Sequence, residues 1–259
     1  MDVCSFPSLI LQNFFGTGDI SFPFYFFQYT LLAAAVTIVA GALAERCQMA
    51  AHLSYSLFLA AFVYPVVAHA GWSSTGFLSS SNTDPLFGIG LVDFSGSGVV
   101  HLTGGTTALF ATYILGSRRG RFFDATTGTP LEVPKPFPGH SVSLQMLGSF
   151  ILWFGWFGFN PGAALLLTDN PDQAQIGALC AVNTFLSSSA GCISALFVKM
   201  GIRHRSKGEA TFDLTAAMNG SLSGLVAVCV TMSTIGLFLH FLSYRCLIFL
   251  VFMFIPKLS

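Results

Sequence analysis

Asp93 and His101 are ionisable residues set in a stretch, Ile89 to Leu115, that is otherwise composed of apolar and small residues. An ionisable group inside lipid is costly, so it faces a cavity or a partner and marks a site. If the stretch is one helix, the step of eight residues from Asp93 to His101 places the imidazole ~12 Å further along and ~80° around the axis. The two side chains therefore do not grip one ion together. They divide the labour: Asp93 at the outer mouth, where a carboxylate can cap the helix start and favour a cation, and His101 near the middle of a ~30 Å hydrocarbon core. Capping alone, without any ligand contact, is the plainer role for Asp93, and the two roles are compatible. Trp72, just after the preceding apolar stretch, adds an aromatic face, which attracts a small cation by ~0.5 to 2 kcal/mol. The same position suits a tryptophan of the interfacial belt. Phe159, taken alone, reads as a lipid-facing or core ring.

These residues need elements to hold them, and the composition says which kind. Of 259 residues, 53% are hydrophobic and 8% charged, with a mean hydropathy of +0.72. Soluble domains carry roughly 25% charged residues, so a water-soluble globule is excluded. Seven apolar stretches approach the ~20 residues needed to cross a bilayer: Ile20 to Ala44, Met49 to Ala70, Ile89 to Leu115, Val142 to Thr168, Ala174 to Met200, Phe212 to Ile235 and Leu237 to Ile255. Without the short alternating pattern of barrel strands they must be helices, which satisfy their own backbone polar groups. The fold class expected is an all-α integral membrane protein, a polytopic bundle of about seven transmembrane helices. Its divisions are an external segment 1–19, a membrane domain 20–236, and an apolar tail 237–259 that could add a seventh span.

Lys and Arg are distributed in order although the net charge is zero. Arg46 lies in the first connection, Arg118, Arg119, Arg121 and Lys135 in the third, and Lys199, Arg203, Arg205 and Lys207 in the fifth. The second, around Asn82 and Asp84, and the fourth, around Asp169 and Asp172, have none. By the positive-inside rule the odd connections are cytoplasmic, the N-terminus is outside and, after seven crossings, the C-terminus is inside. The third connection, Gly116 to Gly139, is proline-rich and reads as an extended loop. Six scattered cysteines lack metal-ligand spacing and read as buried small side chains. No basic start precedes an apolar core, as a signal peptide would require, and no basic patch outside these loops calls for nucleic acid. Neither a metal nor another cofactor is expected. Gly96, Gly98, Gly104 and Gly105 in the third span and Gly155, Gly158 and Gly162 in the fourth either pack helices closely or leave room for a narrow pore.

The run from Asp93 to Arg118, DFSGSGVVHLTGGTTALFATYILGSR, resembles the signature of the ammonium transporter family, the Amt/Rh type. ALAERCQMA (Ala42 to Ala50), YPVVAH before Trp72, and LWFGWFGFNPG (Leu152 to Gly162) fit the same family, and the resemblance covers roughly residues 25 to 230. It implies no enzyme but a homotrimeric transporter in the plasma membrane's lipid bilayer, each subunit with a hydrophobic pore through an eleven-helix bundle. Ammonium is recruited at an outer aromatic vestibule, loses a proton, and crosses as ammonia. Position by position, Trp72 matches the vestibule aromatic, Asp93 the essential acid, Phe159 the inner gate ring, and His101 the first of two pore histidines. Leu31 stands where the outer gate Phe is expected, and Ala163 where a vestibule Ser is common. The resemblance also implies that the chain covers the central part of the fold, entering at the third helix and leaving the family pattern after about Thr231. The tail holds Arg245 and His240, and this histidine is not expected to replace the second pore histidine. Two other readings accompany transport: an ammonium sensor using the same vestibule, and an inactive fragment of a transporter.

Overall fold

The computed structural model describes residues 22–167 and 172–229. The expected seventh span, segment 1–19, Asp169, His240 and Arg245 lie outside the described residues. Among the described residues five helices are long and apolar enough to cross a membrane: α1 (Phe22–Leu43), α2 (Met49–Trp72), α3 (Ser97–Leu115), α4 (Val142–Leu167) and α5 (Gln173–Lys207). A shorter apolar helix, α6 (Leu214–Val228), follows. Among the described residues strand pairing is confined to isolated bridges, Ser79 with Leu91 and Phe123 with Pro130. Large apolar side chains such as Phe154, Tyr113 and Ile114 are about four-fifths exposed, as suits helices whose outer faces meet lipid or other helices rather than water.

Three spans differ from their sequence-based bounds. The third begins at Ser97 rather than Ile89, because Gly96 takes a left-handed conformation (φ 94°) and the chain before it is a loop. The rise and rotation reckoned from Asp93 to His101 as one helix therefore do not apply. The fifth continues to Lys207, so Lys199, Arg203, Arg205 and Lys207 ride on the last turns of α5 instead of a loop. Cations there complement the carbonyl end of the helix, and Gly208 (φ 74°) closes it. The sixth starts at Leu214, after Asp213 accepts a 3.1 Å bond from the Ala216 amide as its N-cap.

The described residues fall in two compact units, one up to Phe137 and one from Pro138. In the first, α1 buries Phe27, Leu31, Ala35, Val39 and Leu43, one residue every fourth position and hence one ridge of the helix. Val39 and Leu43 join Leu59 of α2, with Ala108 and Ala111 of α3 packed around them. Gly104 lets α3 meet α1 closely, since a Cβ there would lie 2.9 Å from the Ala35 carbonyl oxygen. In α2, residues Leu59–Val63 form a π turn ahead of Pro65. Proline lacks an N–H and crowds the carbonyl four residues back, and a wider turn at that point accommodates both defects.

In the second unit α5 and α6 share the most intimate contact, and α4 packs on both. Their seam is lined by small residues: a Cβ on Gly191 would lie 2.3 Å from the Gly220 oxygen, and one on Gly224 the same distance from the Ser187 oxygen. Gly220 and Gly224 form a GxxxG pair. Hydroxyls then bind across the seam, Ser188 Oγ to the Ser221 oxygen at 3.0 Å and Ser187 Oγ to the Gly224 oxygen at 2.8 Å.

Candidate functional site

Trp72 ends α2, and Asp93 lies in the loop that leads into α3. The Trp72 indole Nε1–H donates to the main-chain oxygen of Asp93 at 2.6 Å, fixing the ring against this loop. The Asp93 side chain, 7% exposed, turns the other way. Its Oδ1 accepts from the amides of Gly96 and Ser97 at 2.9 and 2.8 Å, and its Oδ2 from Gly98 and Val99, both at 2.8 Å. The carboxylate thus takes up the orphan N–H groups of the α3 start, the capping geometry expected of it. A helix N-terminus without such a partner would leave donors stranded in a poorly hydrated place, each at about 1 to 3 kcal/mol.

Small residues make this corner possible. A Cβ on Gly96 would meet Val100 Cγ2 at 2.5 Å and the Trp72 ring at 3.5 Å, and its φ of 94° disfavours any side chain. A Cβ on Gly71 would meet Val99 Cγ2 at 2.8 Å.

His101 lies on the first turns of α3, Ser97–Leu102, which are π-helical. The Gly96 carbonyl accepts from the amides of both Val100 and His101, each at 2.9 Å, and this doubled register starts the wide turn. Such turns are frequent at functional sites because they re-aim the side chains they carry. His101 is half-buried. Leu31 is fully buried on the α1 ridge. Trp72, Asp93, His101 and Leu31 all belong to the first unit, and Trp72 and the α3 start are bonded through Asp93.

Phe159 belongs to the second unit. It is half-buried on α4, with its ring centroid 6.0 Å from that of Trp156. Next to it Asn160 is fully buried, donating from Nδ2 to Thr184 Oγ1 at 2.9 Å and accepting the Cys229 thiol at 3.4 Å. Pro161 follows inside the helix, and Ala163 is buried one turn beyond Phe159. This Asn160 network and the Trp153 Nε1 bond to Ser221 Oγ at 2.7 Å were missed by the sequence reading. The signal was present: amide and hydroxyl side chains inside apolar spans are costly unless paired, so Asn160, Thr184, Ser188 and Ser221 had to find partners.

The Ammonium Transporter Family profile matches residues 8–240. The chain belongs to the ammonium transporter family. Among curated relatives, it is 39% identical to Ammonium transporter 1 member 1 of Solanum lycopersicum over 233 residues, 86% of this chain and 46% of the relative. It is 38% identical to Putative ammonium transporter 1 of Caenorhabditis elegans, over 84% of this chain and 39% of the relative. Among solved structures, the Sensor Amt Protein superposes with a TM-score of 0.64 at 30% identity, covering 85% of this chain and 49% of that one. Candida albicans Mep2 superposes with a TM-score of 0.62 at 26% identity, covering 82% and 41%. This family member therefore spans less than half the length of the curated relatives it matches. The relatives are named as transporters, and the polytopic helical membrane fold is common to all these structures.

Proposed function

We propose that this chain takes part in moving ammonium across a membrane, recruiting the cation at the Trp72 face and passing it inward as ammonia. What carries the reading is the join of Trp72 to Asp93 at the mouth of α3. The indole face supplies the cation attraction. Asp93, its two oxygens already engaged by amides, serves by holding that face and the helix start in register and by adding negative charge nearby, not by gripping the cation. Deprotonation precedes passage because apolar walls penalise a bare cation far more than a neutral amine. A neutral His101 imidazole can donate to ammonia or accept from it, which suits it to line the path. The functional form we propose is a homotrimer in the plasma membrane, with residues 20–236 as the membrane domain, Asp84 and Asp172 outside, and the basic connections inside.

The test is uptake of labelled methylammonium by cells that lack their own ammonium transporters and express the protein. Trp72→Leu is expected to raise the concentration for half-maximal uptake severalfold at an unchanged surface amount. No uptake above background by correctly inserted protein, or uptake by Trp72→Leu identical to the parent, would overturn the reading. The likeness to the Sensor Amt Protein supports a second use of the same vestibule, sensing without translocation. Ammonium binding to purified protein with no uptake in cells would favour it.

A further inference from the structure

The end of the first unit opposite Trp72 gathers arginines from two connections. Helix α2 runs 24 residues from Met49 to Trp72, ~36 Å of helix, so the α1–α2 and α3–α4 connections sit on the other membrane face from the vestibule. There Arg46 donates from Nε to the Gly116 oxygen at 3.1 Å and from Nη1 to the Ala42 oxygen at 2.7 Å, tying the end of α3 to the end of α1. Arg118 pairs with Glu45, and its guanidinium stands 5.7 Å from the Phe137 ring centroid. The Arg121 amide donates to the Arg118 oxygen at 3.1 Å, and its guanidinium lies 5.3 Å from the Phe122 centroid.

The cluster is short of negative charge. Glu45 serves Arg118, and Asp124 commits one oxygen to its own turn, where it accepts from the amides and hydroxyls of Thr126 and Thr127. Arg121 Nε is buried with no hydrogen-bond partner among the described residues, so no carboxylate neutralises the guanidinium through that atom. The crowding is felt: burial, then the charge of Arg118, lower the pKa of Arg46, Glu45 opposes, and Arg121 adds to the lowering.

We infer that Arg46, Arg118 and Arg121 form a binding site for the phosphate headgroup of an anionic phospholipid. Guanidinium forks match phosphate oxygens in geometry as well as charge. Lipid suits the place better than free phosphate, because the cations sit directly beyond α3 turns whose Tyr113 and Ile114 are largely exposed, with exposed Phe123 beside them. One ligand can thus lay its chains on apolar surface and its phosphate among the arginines, and basic pockets between transmembrane helices are known to read headgroups in this way.

The test uses the purified chain in neutral detergent, with unfolding temperature followed as short-chain phosphatidylglycerol, short-chain phosphatidylcholine or inorganic phosphate is titrated at low salt. Phosphatidylglycerol is expected to stabilise, and the other two at equal concentration are not. Arg121→Gln is the chosen variant, since Arg46 also holds backbone together. It is expected to weaken the apparent affinity about fivefold, with Arg121→Lys intermediate and Arg203→Gln, a basic residue on α5, unchanged. Equal stabilisation by phosphatidylcholine would leave only a hydrophobic effect, and a matching effect of inorganic phosphate would leave a soluble-anion site. Either result, an unaltered Arg121→Gln, or equal weakening by Arg203→Gln, would overturn the inference.

Discussion

Replacing Asp93 by asparagine keeps the shape of the side chain and inverts half of its chemistry. The amide oxygen can still accept two bonds, as one carboxylate oxygen now does from Gly96 and Ser97. The NH2 group must then face the N–H groups of Gly98 and Val99, which approach the present oxygen at 2.8 Å. Flipping the amide only transfers the conflict to the other pair. Two stranded donors at about 1 to 3 kcal/mol each give a local cost of about 2 to 6 kcal/mol, before the loss of charge assistance is counted. Since each 1.4 kcal/mol is tenfold, opening of the α3 start should become about 30-fold more frequent at the least. Hydrogen exchange followed by mass spectrometry on peptides spanning residues 94–101 measures that opening directly. The expected result is accelerated exchange at Gly98 and Val99 with loss of methylammonium uptake, because the same residue's carbonyl anchors Trp72. Lost uptake with unchanged exchange would show that Asp93 acts through its charge alone, and the capping argument would be refuted.

The α5–α6 seam is expected to be intolerant of volume: Gly191→Ala places a Cβ 2.3 Å from the Gly220 oxygen and should cost at least about 1 to 3 kcal/mol, whereas Gly155→Ala meets nothing within 4 Å and should be neutral. Heating the two variants in detergent and measuring the fraction that stays monodisperse compares them. In a cysteine-depleted background, Asn82→Cys should be labelled by an impermeant thiol reagent in intact cells and Thr126→Cys only after permeabilisation, and the reverse pattern would overturn the proposed orientation. Four bonds from Thr127 and Thr126 hold Asp124 below the usual carboxylate range. A depressed folded-state pKa contributes stability that is complete above the unfolded value and is lost as pH falls from there through the folded one, so protease resistance of the loop 116–139 should be constant from neutral pH down to the ordinary carboxylate range and decline progressively below it. Asp124→Asn should make the loop equally susceptible at all these values.

The kind of protein and, apart from their ends, the described helical spans were legible in the linear text because each rests on local facts. An apolar run of a given length has few alternatives in lipid, and the spacing from Asp93 through His101 to Arg118 carries a family signature whatever surrounds it. Even the capping role of Asp93 could be anticipated, since a carboxylate just before an apolar helix commonly caps it. The start of α3 could not, because Gly96 is equally compatible with a helix interior and with the left-handed residue that precedes one.

What only the tertiary structure decided are relations between residues far apart in the chain. That Trp72 is fastened to the main chain of Asp93, that Asn160 bonds Thr184, and that the Gly220–Gly224 pair receives Gly191 all depend on which helix faces meet. In lipid, apolar patterning does not select those faces, because both sides of a membrane helix are hydrophobic. Small residues and paired polar groups select them instead, and their partners are set only when the helices pack.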